Sequence, residues 1–508
     1  MHKTKNWKAT VIFSAILFLI ICLGLCVEAF YSLPDGDDFG FFYLMKRGIM
    51  DGNGPIQAAL HVVDLFYNNW SGDYGSVFII SFVNPFYRAG LYGYSFCCFL
   101  GVCAFFLSLF IFLKSYRDVI ISDSNMVVEI LFGALFIAGW LDAFTPKEIF
   151  YWYTCVYSYC IGLTIKLMIC SFLLINYRRK SMTNMIASCL FLFICGIVSS
   201  AVGTQNLTIS IGLYIFFIII GVLRAKWYIA SLGGGIMVSA VIVLLAPGNH
   251  ARAMGEAQVT RSVISRMLIA FGDSTRCIAR MGIKNILASP FFWLSLVLIV
   301  VLRLFTNSLK KKELTFKMLI KRFLASCILI YSAIYPVCYG YQVSFLSPRT
   351  ECVAGFIAWV LAIYWMVRIS QIIPQLHISY SKGRVALNSA LAGWGGLFFA
   401  FFIFGKNAGI LAYRELFSGK PQMQWENWNQ IYTEVEESNE KIVTIDLDNE
   451  YINGLMTRHD EVEWNGENVI SRSYMAYCEK EEVVVNWHTG DDVYTLYGYK
   501  GPLAIEYQ

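Results

Sequence analysis

Three acids fall within one short stretch, Pro34-Asp35-Gly36-Asp37-Asp38-Phe39. A carboxylate held beside a hydroxyl can take its proton, and a pair can divide the work between a base and a supporting or metal-binding group. Adjacent residues of an extended chain point opposite ways, so Asp37 and Asp38 are expected to do different jobs. The same residue types would also suit a plain turn that starts a helix. Position separates these readings. The acids follow residues 9–30, a near-continuous apolar run behind the basic leader Lys3, Lys5 and Lys8. Such a run spans a bilayer and sets the N-terminus in the cytoplasm. Acids at a membrane boundary are costly unless they bind, pair or react.

Cations are available to face them. In Pro247-Gly248-Asn249-His250-Ala251-Arg252, Pro and Gly stop a helix and gather Asn249, His250 and Arg252 at the membrane surface. Exposed backbone N–H groups with a guanidinium suit a phosphate. A helix stop with a snorkelling Arg is the plainer reading. Arg349, in Ser347-Pro348-Arg349, is a cation on a short outer loop whose partner is Glu351, a headgroup or a substrate phosphate. Lys147 and Glu148 stand beside Tyr151, Trp152 and Tyr153, aromatics fit for an interfacial belt or for stacking on a sugar. Arg261 and Arg266 are reserve candidates for an anion. Asp273, Arg276 and Arg280 have the spacing of a local ion-pair face, and Lys166 falls inside an apolar span.

The elements that must position these groups are membrane helices. Of 508 residues, 57% are hydrophobic and 15% charged, against roughly 45–50% and 25% in soluble domains. The run gives about eleven spans of the ~20-residue kind, near 9–30, 90–113, 125–144, 151–175, 184–203, 205–222, 228–246, 288–305, 323–341, 351–368 and 386–405. Six alternate segments, from the leader through Arg178–Lys180 and Lys310–Lys312 to Lys382 and Arg384, carry the basic residues and are therefore cytoplasmic. The acid loop 31–89, the Asp142–Tyr153 loop, the Val202–Asn206 turn, the loop opening at Pro247 and the loop before Arg349 then lie outside. Residues 412–508 turn polar and carry short alternating runs, such as Lys441–Asp446 and Glu482–Trp487, that predict strands in a small outer α+β domain. The division is thus 1–411 in the membrane and 412–508 outside it.

The 15 cysteines show no metal-ligand spacing, and most read as small apolar fillers. No Walker loop, dinucleotide fingerprint, zinc motif or nucleophile elbow is visible, which argues against a nucleotide-driven pump. The net charge of +5 sorts by loop, and no nucleic-acid partner is expected.

Asp37-Asp38-Phe39, Pro247-Gly248-Asn249-x-x-Arg252 and the polar tail together resemble the GT-C superfamily of membrane glycosyltransferases, in particular an uncharacterised bacterial branch. The resemblance implies an all-α polytopic fold in the plasma (inner) membrane and transfer of a sugar from a polyprenyl-phosphate donor to a glycan or lipid-linked acceptor. It implies Asp37 as catalytic base and Asp38 as its support or as a metal ligand, a divalent cation such as Mg or Mn being an optional cofactor of the pair. It implies Arg252 and Arg349 on the donor phosphate, with His250, Asn249, Lys147 and Trp152 as further substrate contacts. Asp35 is a third acid beyond the family's pair. A lipid-linked oligosaccharide polymerase or ligase is the alternative. A lipid-glycan transporter is disfavoured by the absence of a visible repeat and the poverty of mid-span charge.

Overall fold

The apolar runs fold as helices because a backbone in hydrocarbon must satisfy its own hydrogen bonds. The computed structural model describes residues 3–120, 126–178, 185–220, 226–256, 262–305, 315–374, 380–447, 455–456, 469–487 and 493–497. Much of the basic loop set, including residues 179–184, 221–225 and 306–314, lies outside these ranges, as does Arg261.

Five described helices are long and apolar enough to cross a membrane: Pro85–Tyr116, Tyr153–Ile175, Trp227–Leu244, Phe316–Tyr341 and Pro348–Ser370. Two bent pairs raise that to seven if each is one span. Val263–Ile286 meets Pro290–Leu304 at 78°, and Ser389–Phe404 meets Ala408–Ser418 at 49°. Four apolar helices are shorter: Ile16–Tyr31, Tyr74–Val83, Met185–Ala201 and Thr204–Ile219. The protein is thus a mostly helical membrane protein. By length and composition the described residues give five to seven of the eleven expected spans, and the helix holding Ile16–Tyr31 begins at Lys3. At one break Asn407 caps the next helix through the Gly409 N–H (2.9 Å) and donates to the Ala138 carbonyl (2.6 Å).

The loops of one alternate set converge at one end of this bundle. Gly72 of the acid loop donates its N–H to Asn249 Oδ1 (3.1 Å), and Thr204 of the short turn donates to Asp73 Oδ1 (3.2 Å). Arg349 reaches Glu148 at 3.3 Å. The acid loop is itself helical, with Asp38–Met50, Pro55–Asn69 and Tyr74–Val83.

The polar tail packs on that loop. After helix Lys420–Glu437 come strand Ile442–Leu447, helix Val469–Cys478 and strands Glu482–Trp487 and Val493–Tyr497. They form a three-stranded sheet in sequence order, the first pair parallel and the second antiparallel. Its core runs on into the membrane domain through one aromatic cluster. Phe39 is fully buried, 4.7 Å from Tyr474 and 5.7 Å from Tyr432 between ring centroids, and Phe86 stands 5.2 Å from both Phe39 and Tyr432. Trp425 Nε1 donates to Ser95 Oγ (2.8 Å) and Lys46 Nζ to the Tyr477 carbonyl (2.8 Å). Burying side chains of this size stabilises by about 1.5–3 kcal/mol each, which fixes the start of helix Asp38–Met50 against the tail.

Candidate functional site

The acid turn ends at Asp37, the residue preceding helix Asp38–Met50. Gly36 has φ +49°, and a Cβ there would collide with the Trp152 indole. Only glycine meets both demands at little cost. The turn therefore lies flat on Trp152, and the same indole carries the Arg349 guanidinium 5.0 Å from its centroid. One aromatic ring sets the spacing between the acid turn and a cation.

The two acids have different environments, as their adjacency predicts. Asp38 has no exposed surface. Its Oδ2 accepts from Tyr94 Oη (2.8 Å) and the Asp35 N–H (3.0 Å), and its Oδ1 from the Thr154 N–H (3.1 Å) and Thr154 Oγ1 (2.5 Å). Burial pushes its pKa up to about 7, opposed by the Thr154 and Tyr94 hydrogen bonds. Asp38 joins three segments of chain and has no oxygen left over. It does not fit the metal-ligand role considered from sequence.

Asp37 is exposed, and among the described residues no donor bonds its carboxyl. Surrounding protein nonetheless desolvates it enough to raise its pKa, while Arg349 and then Arg252 pull it down. These two cations lie on separate loops, about a hundred residues apart, and both act on the one accessible acid of the turn. Lys147 acts on the buried Glu28. Glu28 accepts from Tyr151 Oη (3.0 Å).

Arg252 is placed by its motif. Pro247 opens helix Pro247–Glu256. Gly248 lies so close to the Trp70 and Ser71 backbone that a Cβ would overlap their nitrogens. Asn249 bridges the Gly72 N–H and the Val243 carbonyl (2.6 Å), so its amide is spent on backbone. Arg252, one turn on, sits 4.6 Å from the Trp70 ring centroid and 4.8 Å from that of Tyr341. His250 is exposed on the same helix. Two aromatic faces hold the Arg252 guanidinium by cation–π attraction.

Arg349 pairs with Glu148 through its side chain and its N–H, both 3.3 Å from Oε2. Glu351, the expected intramolecular partner, instead accepts from Asn285 Nδ2 (3.0 Å). Tyr159 also bonds the Arg349 guanidinium, from a π-helical turn, Val156–Cys160. Such turns recur at functional sites because they re-aim side chains within a helix.

Sequence reasoning missed two participants. Asp73 is a second acid facing Arg252. Burial raises its pKa, and Arg252 and Thr204 oppose that. Its only signal was its place in the Ser71-Gly72-Asp73 turn of the acid loop. Tyr159 had none. Arg266 stacks 4.9 Å from Tyr339, and Asp273 pairs locally with Arg276 at 3.1 Å. Lys166 is buried and donates to the Gly162 carbonyl (3.3 Å), the Ser199 carbonyl (3.0 Å) and Asn206 Oδ1 (2.9 Å). It thereby ties three helices at the Val202–Asn206 turn.

An exposed carboxylate within electrostatic reach of two guanidiniums, one stacked on Trp152 and the other between Trp70 and Tyr341, can accept a proton beside a bound oxyanion. Its aromatic rims can carry an apolar sugar face or an isoprenoid edge. No protein-family model, curated protein or solved structure matches the chain.

Proposed function

We propose that the chain is a membrane glycosyltransferase of the GT-C type. It moves a hexosyl or pentosyl group from a polyprenyl-phosphate donor to a glycan or lipid-linked acceptor at the outer face of the membrane, with inversion. The observation that carries this reading is the joint action of Arg349 and Arg252 on Asp37. In such a transfer the acceptor oxygen forms a bond to the anomeric carbon as the bond from that carbon to the phosphate oxygen breaks. The acceptor proton goes to Asp37, and the electron pair leaves on the phosphate. Polyprenyl phosphate leaves readily once its charge is neutralised, so cations rather than a proton donor are needed opposite the base. Base and cations must flank one small volume. Asp38 holds the base's backbone by gripping Thr154, Tyr94 and Asp35, and Trp152 spaces base from cation.

The test is turnover. Purified full-length protein is incubated with a panel of radiolabelled polyprenyl-phosphate sugars and a lipid-linked acceptor extract. Donor-dependent release of polyprenyl phosphate that vanishes in Asp37→Asn is the expected result. Transfer that proceeds unchanged in Asp37→Asn would overturn the assignment, as would failure of every donor to bind. A block polymerase or ligase would be marked by use of diphosphate-linked oligosaccharides in place of monophosphate-linked single sugars.

A further inference from the structure

A second pair of guanidiniums lies at the other end of the bundle. Helices Phe316–Tyr341 and Pro348–Ser370 run antiparallel. Trp365 Nε1 donates to Ser326 Oγ (3.1 Å), and Phe323 meets Trp365 edge-on. Arg322 is one turn before Ser326 and Arg368 one turn after Trp365, which brings the two to the same level. Nineteen residues of helix separate Arg322 from Tyr341, the residue against which Arg252 stacks, so this level is roughly 28 Å from the Asp37 site.

The pair is electrostatically unbalanced. The Arg322 and Arg368 charges are near enough to act on one another, and the neutral Tyr364 phenol is the other titratable neighbour of Arg322. Arg368 stacks 5.2 Å from the Tyr364 centroid and donates through Nη1 to the neutral Gln371 Oε1 (3.1 Å). Its Nε is buried with no acceptor, and so is Arg322 Nη1. No carboxylate pairs with either among the described residues. Two like charges that share a membrane boundary without a counter-ion are costly. A doubly hydrogen-bonding oxyanion is the group that relieves this, since guanidinium edges match phosphate geometry. Snorkelling alone would scatter the two heads into solvent. The Tyr364 stack and the Gln371 bond instead hold one of them in place.

We propose that Arg322 and Arg368 form a phosphate site for a membrane lipid in the leaflet opposite the Asp37 site. Trp365, Phe323 and Tyr364 border it and suit the glycerol and upper acyl region of such a lipid. The proposal is independent of the sugar-transfer reading, and either can fail alone.

The test uses the detergent-solubilised full chain and native mass spectrometry, with phosphatidylglycerol and, as a phosphate-free control, diacylglycerol. Wild type should retain phosphatidylglycerol over diacylglycerol. Arg322→Gln and Arg368→Gln should each lower that retention about tenfold, while Lys317→Gln, exposed near the same end, should not. Displacement of the lipid by excess inorganic phosphate at constant ionic strength would show that a soluble phosphate also fits. Persistence of the lipid under that challenge would show that the acyl chains are needed. Size-exclusion profiles check folding. If the Gln variants do not survive solubilisation, Arg322→Lys and Arg368→Lys should fold and bind several-fold less lipid, because Lys loses the fork. Lipid retention equal to wild type in every folded variant, or no preference for phosphatidylglycerol over diacylglycerol, would overturn the proposal.

Discussion

Asp38 grips Thr154 twice, accepting from its N–H at 3.1 Å and from its hydroxyl at 2.5 Å. This ties the acid turn to the start of the Tyr153–Ile175 span. Both oxygens of Asp38 also take a backbone N–H, from Thr154 on one and Asp35 on the other. An Asn amide would therefore aim its NH₂ at an N–H donor in either orientation. Asp38→Asn is expected to destabilise the protein by about 1–3 kcal/mol and to lower turnover through misplacement of Asp37. Thermal unfolding in detergent checks this, and an unchanged melting midpoint would contradict it.

Asp37→Asn should behave oppositely. The side chain is exposed and bonds no described donor, so stability should be kept while turnover falls by roughly 10²–10⁴. Binding of donor measured by isothermal titration should survive. Loss of fold together with activity would mean that Asp37 has a structural task.

The pH profile follows from the same residue. Asp37 works as an ionised base, so the rate should fall as pH drops through its pKa. Burial raises that pKa, so the acid limb should lie above the ordinary carboxylate value of about 3.9. Arg349 opposes the burial, and Arg349→Gln should shift the limb to higher pH. Stopped assays across a buffered series measure both, and a limb that shifts down would refute the electrostatic link.

Removing either cation should weaken the donor more than the acceptor. Arg252→Ala and Arg349→Ala are each expected to raise the donor's dissociation constant about 10–100-fold. Arg252→Lys should restore part of the loss, because Lys keeps the charge over Trp70 but not the fork. Equal donor binding in both Ala variants would place the phosphate elsewhere.

Gly36→Ala tests the turn itself. Left-handed backbone costs an L-residue about 1–2 kcal/mol, and the added methyl would push on Trp152, which carries Arg349. Activity should drop well beyond the loss in stability. Intrinsic tryptophan fluorescence should shift if the indole has moved.

The sequence made some of this plain and hid the rest for physical reasons. Long apolar runs announce helices, and charge sorting among loops announced which loops share an end. The contacts of Gly72 with Asn249 and of Arg349 with Glu148 join loops of that one set. Pro247-Gly248-Asn249 marked a helix start, but nothing local could say that Gly248 must slide against Trp70. Full burial of Asp38 depends on Tyr94 and Thr154, which lie 56 and 116 residues away. Asp73 lacked any spacing that would link it to Asp37. The pairing of Arg349 with Glu351 was avoidable, since residues two apart on a helix do not face each other. The break at Asn407 falls just beyond the expected span 386–405, where the apolar run itself ends.

The aromatic cluster around Phe39 has a consequence for biosynthesis. The bond from Lys46 to the Tyr477 carbonyl bridges 431 residues, and Phe39 rests on Tyr432 and Tyr474. The ribosome delivers the acid loop roughly 400 residues before its covering wall. Contacts so distant in sequence close late. The nascent chain therefore dwells in the bilayer with Phe39 uncovered, although Asp38 can already reach Tyr94 and Thr154. A product cut before Lys420 would insert its helices yet leave the start of helix Asp38–Met50 without its aromatic cover.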